Sequence, residues 1–281
     1  MNIGVSGASG KLGQAIVREL QARNSDHVLV AISRTPASTP GVEGRVGDYD
    51  KPETLATAYA GLDKLIIIPT TDLRPGMRGT QNETAITSAV AAGVKHIVFL
   101  SAAGTREQAE PAIGASYWRG EQALIKSGAS WTILRMNYYA EALADEAESA
   151  LATGALTGFG ENKVAFVGRE DVAAAAAGIV LTEGHAGAIY NATGAKSYTG
   201  AERAALMGEV LGKTVVFAAI PVETFKAGMA QMGLPSFVID TITGIQLDFA
   251  SGAFDVVTGD VEKLAGRKPQ DLRDVLVAKL G

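Results

Sequence analysis

The amino-acid sequence predicts an α/β fold, a doubly wound parallel sheet with a smaller C-terminal α/β lobe, and three observations predict it. A short apolar strand, Asn2-Ile3-Gly4-Val5-Ser6, runs without a spacer into Gly7-Ala8-Ser9-Gly10-Lys11-Leu12-Gly13. Leu12, Ala15, Ile16 and Leu20 then recur at helical spacing, so the glycines fall where a parallel strand hands the chain to a helix N-terminus. Beyond them, apolar strands alternate with helical segments as far as residue 135, the pattern a doubly wound sheet requires. Residues 1–135 are therefore the expected dinucleotide-binding core. Residues 136–281 are expected to complete the sheet and to form a small substrate lobe.

In the first turn the glycines have separate physical tasks. Gly7 permits the sharp bend, Gly10 lets the backbone approach a pyrophosphate, and Gly13 allows close helix–strand packing. The helix start adds free N–H groups and partial positive charge. Gly7, Ala8, Ser9, Gly10, Lys11 and Leu12 are thus the expected phosphate seat. The second strand, residues 27–34, is dense in aliphatic residues and ends on Ser33-Arg34, where a chain selective for NAD would carry an acidic residue. A guanidinium pairs with a 2′-phosphate that a carboxylate would repel, so Arg34 favours NADPH and NADP+; the alternative is a solvated strand-end cation.

Residues 44–49 read as a third strand and 52–60 as a helix with proline in its first turn. Asp48 either accepts from the adenine amino group or caps the next turn. The fourth strand, residues 65–68, delivers Pro69 and Thr70 to the carboxyl edge at which such sheets bind ligands. A loop over 72–78 precedes a helix over 80–92, and a fifth strand spans 96–101. Ser101 is either a catalytic hydroxyl beside the nicotinamide or a strand-end hydroxyl bonded to backbone. A loop over 102–114, a helix over 116–127 and a sixth strand over 131–135 follow.

The second half changes character. Helices are expected over 140–151, 171–181, 222–232, 235–249 and 270–280, and strands over 163–167, 188–192 and 214–220. Phe225, Met229, Met232, Phe237 and Phe249 belong chiefly to a core, with a few left to line a cleft between the lobes.

Composition narrows the function. The 281 residues are 47% hydrophobic and 20% charged, as in an ordinary globular protein, and the net charge of −5 comes with no basic cluster that could follow nucleic acid. Zero cysteines exclude disulfide and thiolate chemistry, and His27, His96 and His185 give no metal-ligand spacing, so no metal is expected. The first strand leaves no room for an export signal, and the longest apolar runs fall short of the ~20 residues of a spanning helix. The expectation is a cytoplasmic protein without a membrane partner; its oligomeric state is open, a homodimer included.

Taken together, Gly7 to Gly13, Arg34, Gly47-Asp48-Tyr49, Ala92-Gly93-Val94-Lys95-His96-Ile97, Thr132-Ile133-Leu134-Arg135 with Tyr139, and Lys263-Leu264-Ala265-Gly266-Arg267-Lys268-Pro269 form an ordered set. The chain resembles the NmrA-like branch of the atypical short-chain dehydrogenases, most of all its NADPH:quinone oxidoreductases and triphenylmethane dye reductases. The resemblance implies a Rossmann-like domain, NADPH as cofactor and reduction of quinone-like or extended aromatic acceptors. It also implies a rival, since NmrA regulators share the fold and bind oxidised dinucleotides as sensors.

Short-chain dehydrogenases use Tyr-x-x-x-Lys, in which the lysine lowers the tyrosine pKa. Here Tyr117-Trp118-Arg119-Gly120-Glu121 places a carboxylate where the lysine should be, which disfavours a phenolate at Tyr117. The missing lysine also argues against a sugar-nucleotide epimerase. Quinone reduction tolerates its loss, because hydride addition gives a resonance-stabilised anion that water can protonate. Tyr117, Tyr138 and Tyr139 are the residues expected to place the acceptor, with Tyr117 an optional proton donor; ordinary aromatic packing is their alternative.

Overall fold

Seven parallel strands form the central sheet: β1 (Asn2–Ser6), β2 (Val28–Ser33), β3 (Val42–Val46), β4 (Lys64–Ile67), β5 (His96–Ala102), β6 (Ser130–Met136) and, after an intervening strand of the lobe, β8 (Ala188–Ala192). The computed structural model describes residues 1–23, 26–110 and 112–281. Strand order is β3-β2-β1-β4-β5-β6-β8. The order reverses between β1 and β4, where Ile3 pairs with Lys64 and Ser6 with Ile67, and a crevice opens there at the carboxyl edge.

Both faces of the sheet are covered, which is why the strands read as continuous apolar runs. On one face α1 (Lys11–Ala22) and α7 (Arg169–Leu181) enclose Ile3, Val5, Ile66, Val98, Leu100 and Leu134. On the other, α2 (Pro52–Tyr59), α3 (Met77–Ala91) and α4 (Ile113–Lys126) enclose Ile32, Leu65, Ile67, Ile97, Phe99 and Ile133. Leu65 and Ile67 therefore face opposite to Ile66, the two-residue alternation of an extended chain. Helix α7 is alanine-rich because it is enclosed from more than one side: every residue from Asp171 to Val180 is buried, and α11 (Asp260–Ala265) packs against it. Arg23, just past α1, donates to the carbonyls of Ala174 at 3.0 Å and Ala265 at 3.4 Å.

The lobe has its own core. Helices α5 (Ala140–Ala144), α6 (Ala147–Thr153), α8 (Gly200–Leu211), α9 (Val222–Gln231), α10 (Ser236–Ala250) and α12 (Leu272–Leu280) accompany a two-stranded parallel sheet of β7 (Ala155–Gly158) and β9 (Val216–Ala219). Leu143, Phe166, Met207, Phe249, Phe254 and Leu276 are among the side chains at its centre.

Several expected elements are displaced. The expected strand at 163–167 makes only single bridges, Val164 to Tyr198 and Tyr139 to Val167; its apolar residues fill the lobe core without a continuous ladder. The strand that pairs with β9 is instead Ala155–Gly158, too short and mixed to announce itself. The expected helix over 140–151 breaks at Asp145 and Glu146 into α5 and α6. Strand β3 begins and ends earlier than expected, at Val42 and Val46, and the Gly47 N–H makes the last bond to β2, donating to Ser33 O at 3.0 Å. Helix α3 begins inside the expected loop, at Met77. Pro111, in the expected 102–114 loop, lies outside the described residues. Phe249 and Met229 are buried as expected, but Met232 is 69% exposed. No helix among the described residues is long and apolar enough to cross a membrane.

Candidate active site

A cleft of about 860 Å³ runs along the carboxyl edge of the sheet, from the turn after β1 to the lobe. Gly7 ends β1 at φ +91°, a conformation that a side chain would strain, and its N–H and that of Ala8 both donate to Ile32 O, at 2.9 and 3.1 Å. Gly13 is dictated by packing: a Cβ there would sit 2.3 Å from Gly7 O and 2.6 Å from Ala8 Cα. Gly10 differs. Its φ of −74° suits any residue, and a Cβ would meet only Gly7 O, at an ordinary 3.5 Å. Nothing in the protein requires glycine at position 10, yet it borders the cleft beside the first-turn N–H groups of Lys11, Leu12 and Gly13, which have no intrahelical acceptor. The space beside Gly10 and these free N–H groups would fit a diphosphate, seated where a side chain would otherwise project.

At one end of the cleft Ser33 is 5% exposed and its hydroxyl has no partner among the described residues, while Arg34 beside it is exposed. A phosphate on the ribose would satisfy both. Asp48 lines the same wall and spends Oδ1 on the N–H of Asp50, at 3.1 Å, so it does cap the turn and keeps a second oxygen. Pro69 and Thr70 border the cleft after β4; the Thr70 hydroxyl donates to Gln81 Oε1 at 2.5 Å, and Gln81 donates to Asp50 Oδ1 at 2.9 Å. Tyr49 closes the floor, donating to Ile68 O at 3.1 Å, and burial pushes its phenol pKa up.

Toward the lobe the wall is aromatic and cationic. Tyr117 on α4 and Tyr138 and Tyr139 after β6 all line the cleft. Tyr138 packs edge-to-face on Phe249, with ring centroids 5.0 Å apart, and burial raises its pKa to about 12. The Tyr139 hydroxyl donates to Met136 Sδ at 3.0 Å, the Arg169 guanidinium lies 5.3 Å from its ring centre, and burial raises this phenol too. Arg169 has a carboxylate neighbour in Glu141, 3.6 Å away.

Arg78, in the first turn of α3, has none among the described residues. It is 7% exposed, lines the cleft, lies 5.5 Å from the centre of the Tyr117 ring, and its Nε has no hydrogen-bond partner. Removing a guanidinium from water without a counter-ion costs several kcal/mol, of which a desolvated cation–π contact returns about 2.

Two expected site residues stand back from the cleft. Ala8 is buried and its N–H is taken by Ile32 O. Ser101 has no exposed surface; its hydroxyl donates to Glu121 Oε1 at 2.6 Å and lies 3.3 Å from the Thr105 hydroxyl, so it bonds a side chain rather than backbone. In this structure it therefore does not border the cleft, and its hydroxyl is engaged beneath it. Glu121 alters the expectation for Tyr117 as well. Buried at 1% exposure, it is held by Arg135 through two contacts of 2.8 and 2.6 Å, so its charge is compensated and directed at β5 and β6. Arg78, Gln81, Asn137 and Arg169 were not anticipated. Arg78 fell in a stretch whose glycine, proline and charge read as loop, and nothing in a single sequence distinguishes its guanidinium from a solvated one.

The sequence model of the NAD(P)H-binding family matches residues 7–183. An NAD(P)H azoreductase of Xenophilus azovorans is 30% identical over 94% of this chain and 92% of its own length. Among solved structures, an NADPH-dependent quinone oxidoreductase from Escherichia coli in complex with NADPH superposes with a TM-score of 0.91, at 29% identity and 99% and 100% coverage of the two chains. The triphenylmethane reductase of Citrobacter sp., complexed with NADP(H), superposes at 0.88, with 30% identity and full coverage of both chains.

Proposed function

The chain belongs to the NAD(P)H-binding family, and from that premise we propose that it is a reductase that carries hydride from NADPH to a quinone-like or extended aromatic acceptor. It is an NAD(P)H-dependent oxidoreductase, in keeping with the azoreductase and the quinone oxidoreductase that it resembles over more than nine-tenths of their length. The observation that carries the finer reading is the continuity of one cleft from Gly10 and Arg34 to Tyr117, Tyr138 and Tyr139. A dinucleotide and a flat acceptor can lie in it end to end, and an aromatic wall suits a conjugated ring.

Each part of the chain has a task. The N–H groups of the α1 N-terminus hold the diphosphate, and Ser33 and Arg34 hold the 2′-phosphate. Asp48, Pro69 and Thr70 line the wall between, with Thr70 fixed by Gln81. When bound, the reduced nicotinamide supplies a hydride. Tyr117, Tyr138 and Tyr139 orient the acceptor, and the lobe excludes water from the contact, so the rate gain comes chiefly from placement. Tyr117 borders the cleft and can return a proton, but the reaction does not depend on it, because the reduced acceptor is a stable anion that water protonates.

The test is loss of absorbance at the reduced nicotinamide band with a panel of quinones, azo dyes and triphenylmethane dyes, alongside calorimetric titration of NADPH, NADP+ and NADH. Acceptor-dependent oxidation with preference for NADPH is expected. Binding of the oxidised form without turnover of any acceptor would favour a dinucleotide sensor, and no heat with any of the three would refute the cofactor site itself.

A further inference from the structure

Resting on the reductase reading, we propose that Arg78 is the electrophile of the acceptor site, a fixed cation that grips the oxygen of an incoming quinone and holds the negative charge that hydride addition places on it. The side chain is buried, borders the cleft and leaves Nε unpartnered among the described residues. Nearby carboxylates are committed elsewhere: Asp72 to Arg74 at 2.5 Å, Glu83 to Arg119 at 2.6 Å, and Asp50 to the amide of Gln81 at 2.9 Å. Arg78 is carried by the first turn of a fifteen-residue helix, with its guanidinium 5.5 Å from the centre of the Tyr117 ring, so its position is set before any ligand arrives. The phosphates of the dinucleotide have their own donors in the α1 N-terminus and in Ser33 with Arg34. What remains for Arg78 is an anion at the acceptor.

Hydride addition to a neutral quinone moves two electrons and one hydrogen from the reduced nicotinamide to the acceptor. It leaves the oxidised dinucleotide and a hydroquinone monoanion, which a proton from water converts to the hydroquinone. Charge reaches the quinone oxygen only during this step, so a guanidinium fixed beside it stabilises the transition state more than the bound substrate. A cationic dye behaves oppositely: hydride neutralises it, no oxyanion forms, and Arg78 repels it on entry. The chain is therefore selective for acceptors that carry their charge on oxygen.

The experiment uses the full chain loaded with NADP+ and titrated with 4-nitrophenol near the probe's own pKa, reading the phenolate absorption. Bound probe should shift toward the phenolate, with about tenfold preference over the neutral phenol; Arg78→Met should abolish the shift and Arg78→Lys restore part of it. NADPH affinity should stay within about twofold of wild type in Arg78→Met, while kcat for a neutral quinone falls about 100-fold and turnover of a cationic triphenylmethane dye holds or rises. An unshifted probe spectrum in the wild type, equal losses for both acceptors, or a loss of NADPH affinity would overturn the role of Arg78. Absence of any acceptor-dependent NADPH oxidation by the wild type would overturn the reductase reading, and the catalytic role with it. A wild-type quinone rate that ignores Arg78→Met would overturn the role of Arg78 alone.

Discussion

Gly10→Ala separates a glycine that the fold needs from one that the ligand needs. The new methyl would meet only Gly7 O at 3.5 Å, and φ of −74° accepts it. Loss of the glycine N-cap costs a few tenths of a kcal/mol or more, and a less flexible unfolded chain returns about 0.4–1 kcal/mol, so the two nearly cancel. The Tm of the ligand-free variant should stay within about 3 °C of wild type. With a diphosphate in place the same methyl becomes an overpacking substitution, costing about 1–3 kcal/mol, or roughly 5- to 150-fold in NADPH affinity. Gly13→Ala is the internal control. Its methyl would lie 2.3 Å from Gly7 O and 2.6 Å from Ala8 Cα, so backbone must move, and Tm should fall by about 3–10 °C even without ligand. Circular-dichroism melts and calorimetric titration read the two effects separately. A folded Gly10→Ala variant that binds NADPH as tightly as wild type would refute the placement of the diphosphate.

Arg34→Ala should weaken NADPH about 10- to 100-fold and leave NADH unchanged, and Ser33→Ala should do the same more mildly without lowering Tm, since its hydroxyl has no partner to lose; parallel titrations with the two cofactors check both. Glu121→Ala should destabilise the fold by about 3–5 kcal/mol, because it strands Arg135 against the sheet, and a urea melt with a matched Arg135→Ala, Glu121→Ala pair would show the coupling. Burial raises the Glu146 carboxyl from 4.5 to about 7, with Arg203 opposing the shift. Its folded pKa lies above its unfolded one, so the stability it contributes is full below about pH 4.5 and is lost as pH rises through 7. The loss is at most about 3 kcal/mol, reduced because Glu146 is partly exposed, and Tm measured across pH 5–8 should fall less steeply in Glu146→Gln than in wild type.

The nucleotide half was legible because its signals are local. Strand, glycine turn and amphipathic helix are adjacent in the chain, and β1 and the start of α2 lie at the residues their periodicity indicates, as β8 does in the second half. The lobe was harder. Residues Val164 to Val167 are as apolar as a strand because they cross a core, and no local pattern separates burial in a ladder from burial without one. Helix α8 did carry a signal, the Thr199 and Glu202 capping box, that periodicity alone passes over. The site divides in the same way. Gly7, Ser9 to Leu12 and Arg34 at the cleft follow from spacing, whereas Arg78 and Arg169 acquire meaning only when α3 and α7 bring them to Tyr117 and Tyr139. Ser101 misled because a hydroxyl at a strand end looks the same whether it turns to the cleft or, as here, to a carboxylate contributed by α4.

Helix α7 has a consequence for synthesis. The side of the sheet carrying Val5, Val98, Leu100 and Leu134 is only partly covered by α1 and receives the rest of its cover from a segment made some thirty residues after β6 is complete; Arg23 finds one acceptor there, on Ala174, and the other, on Ala265, later still. A nascent chain must leave the ribosome with that surface bare, open to chaperones or to other emerging copies. The same order means that a fragment cut after Arg135 cannot serve as a stand-alone dinucleotide module for grafting, because α1 alone would be left on that side and the part of the sheet that α7 covers would meet water.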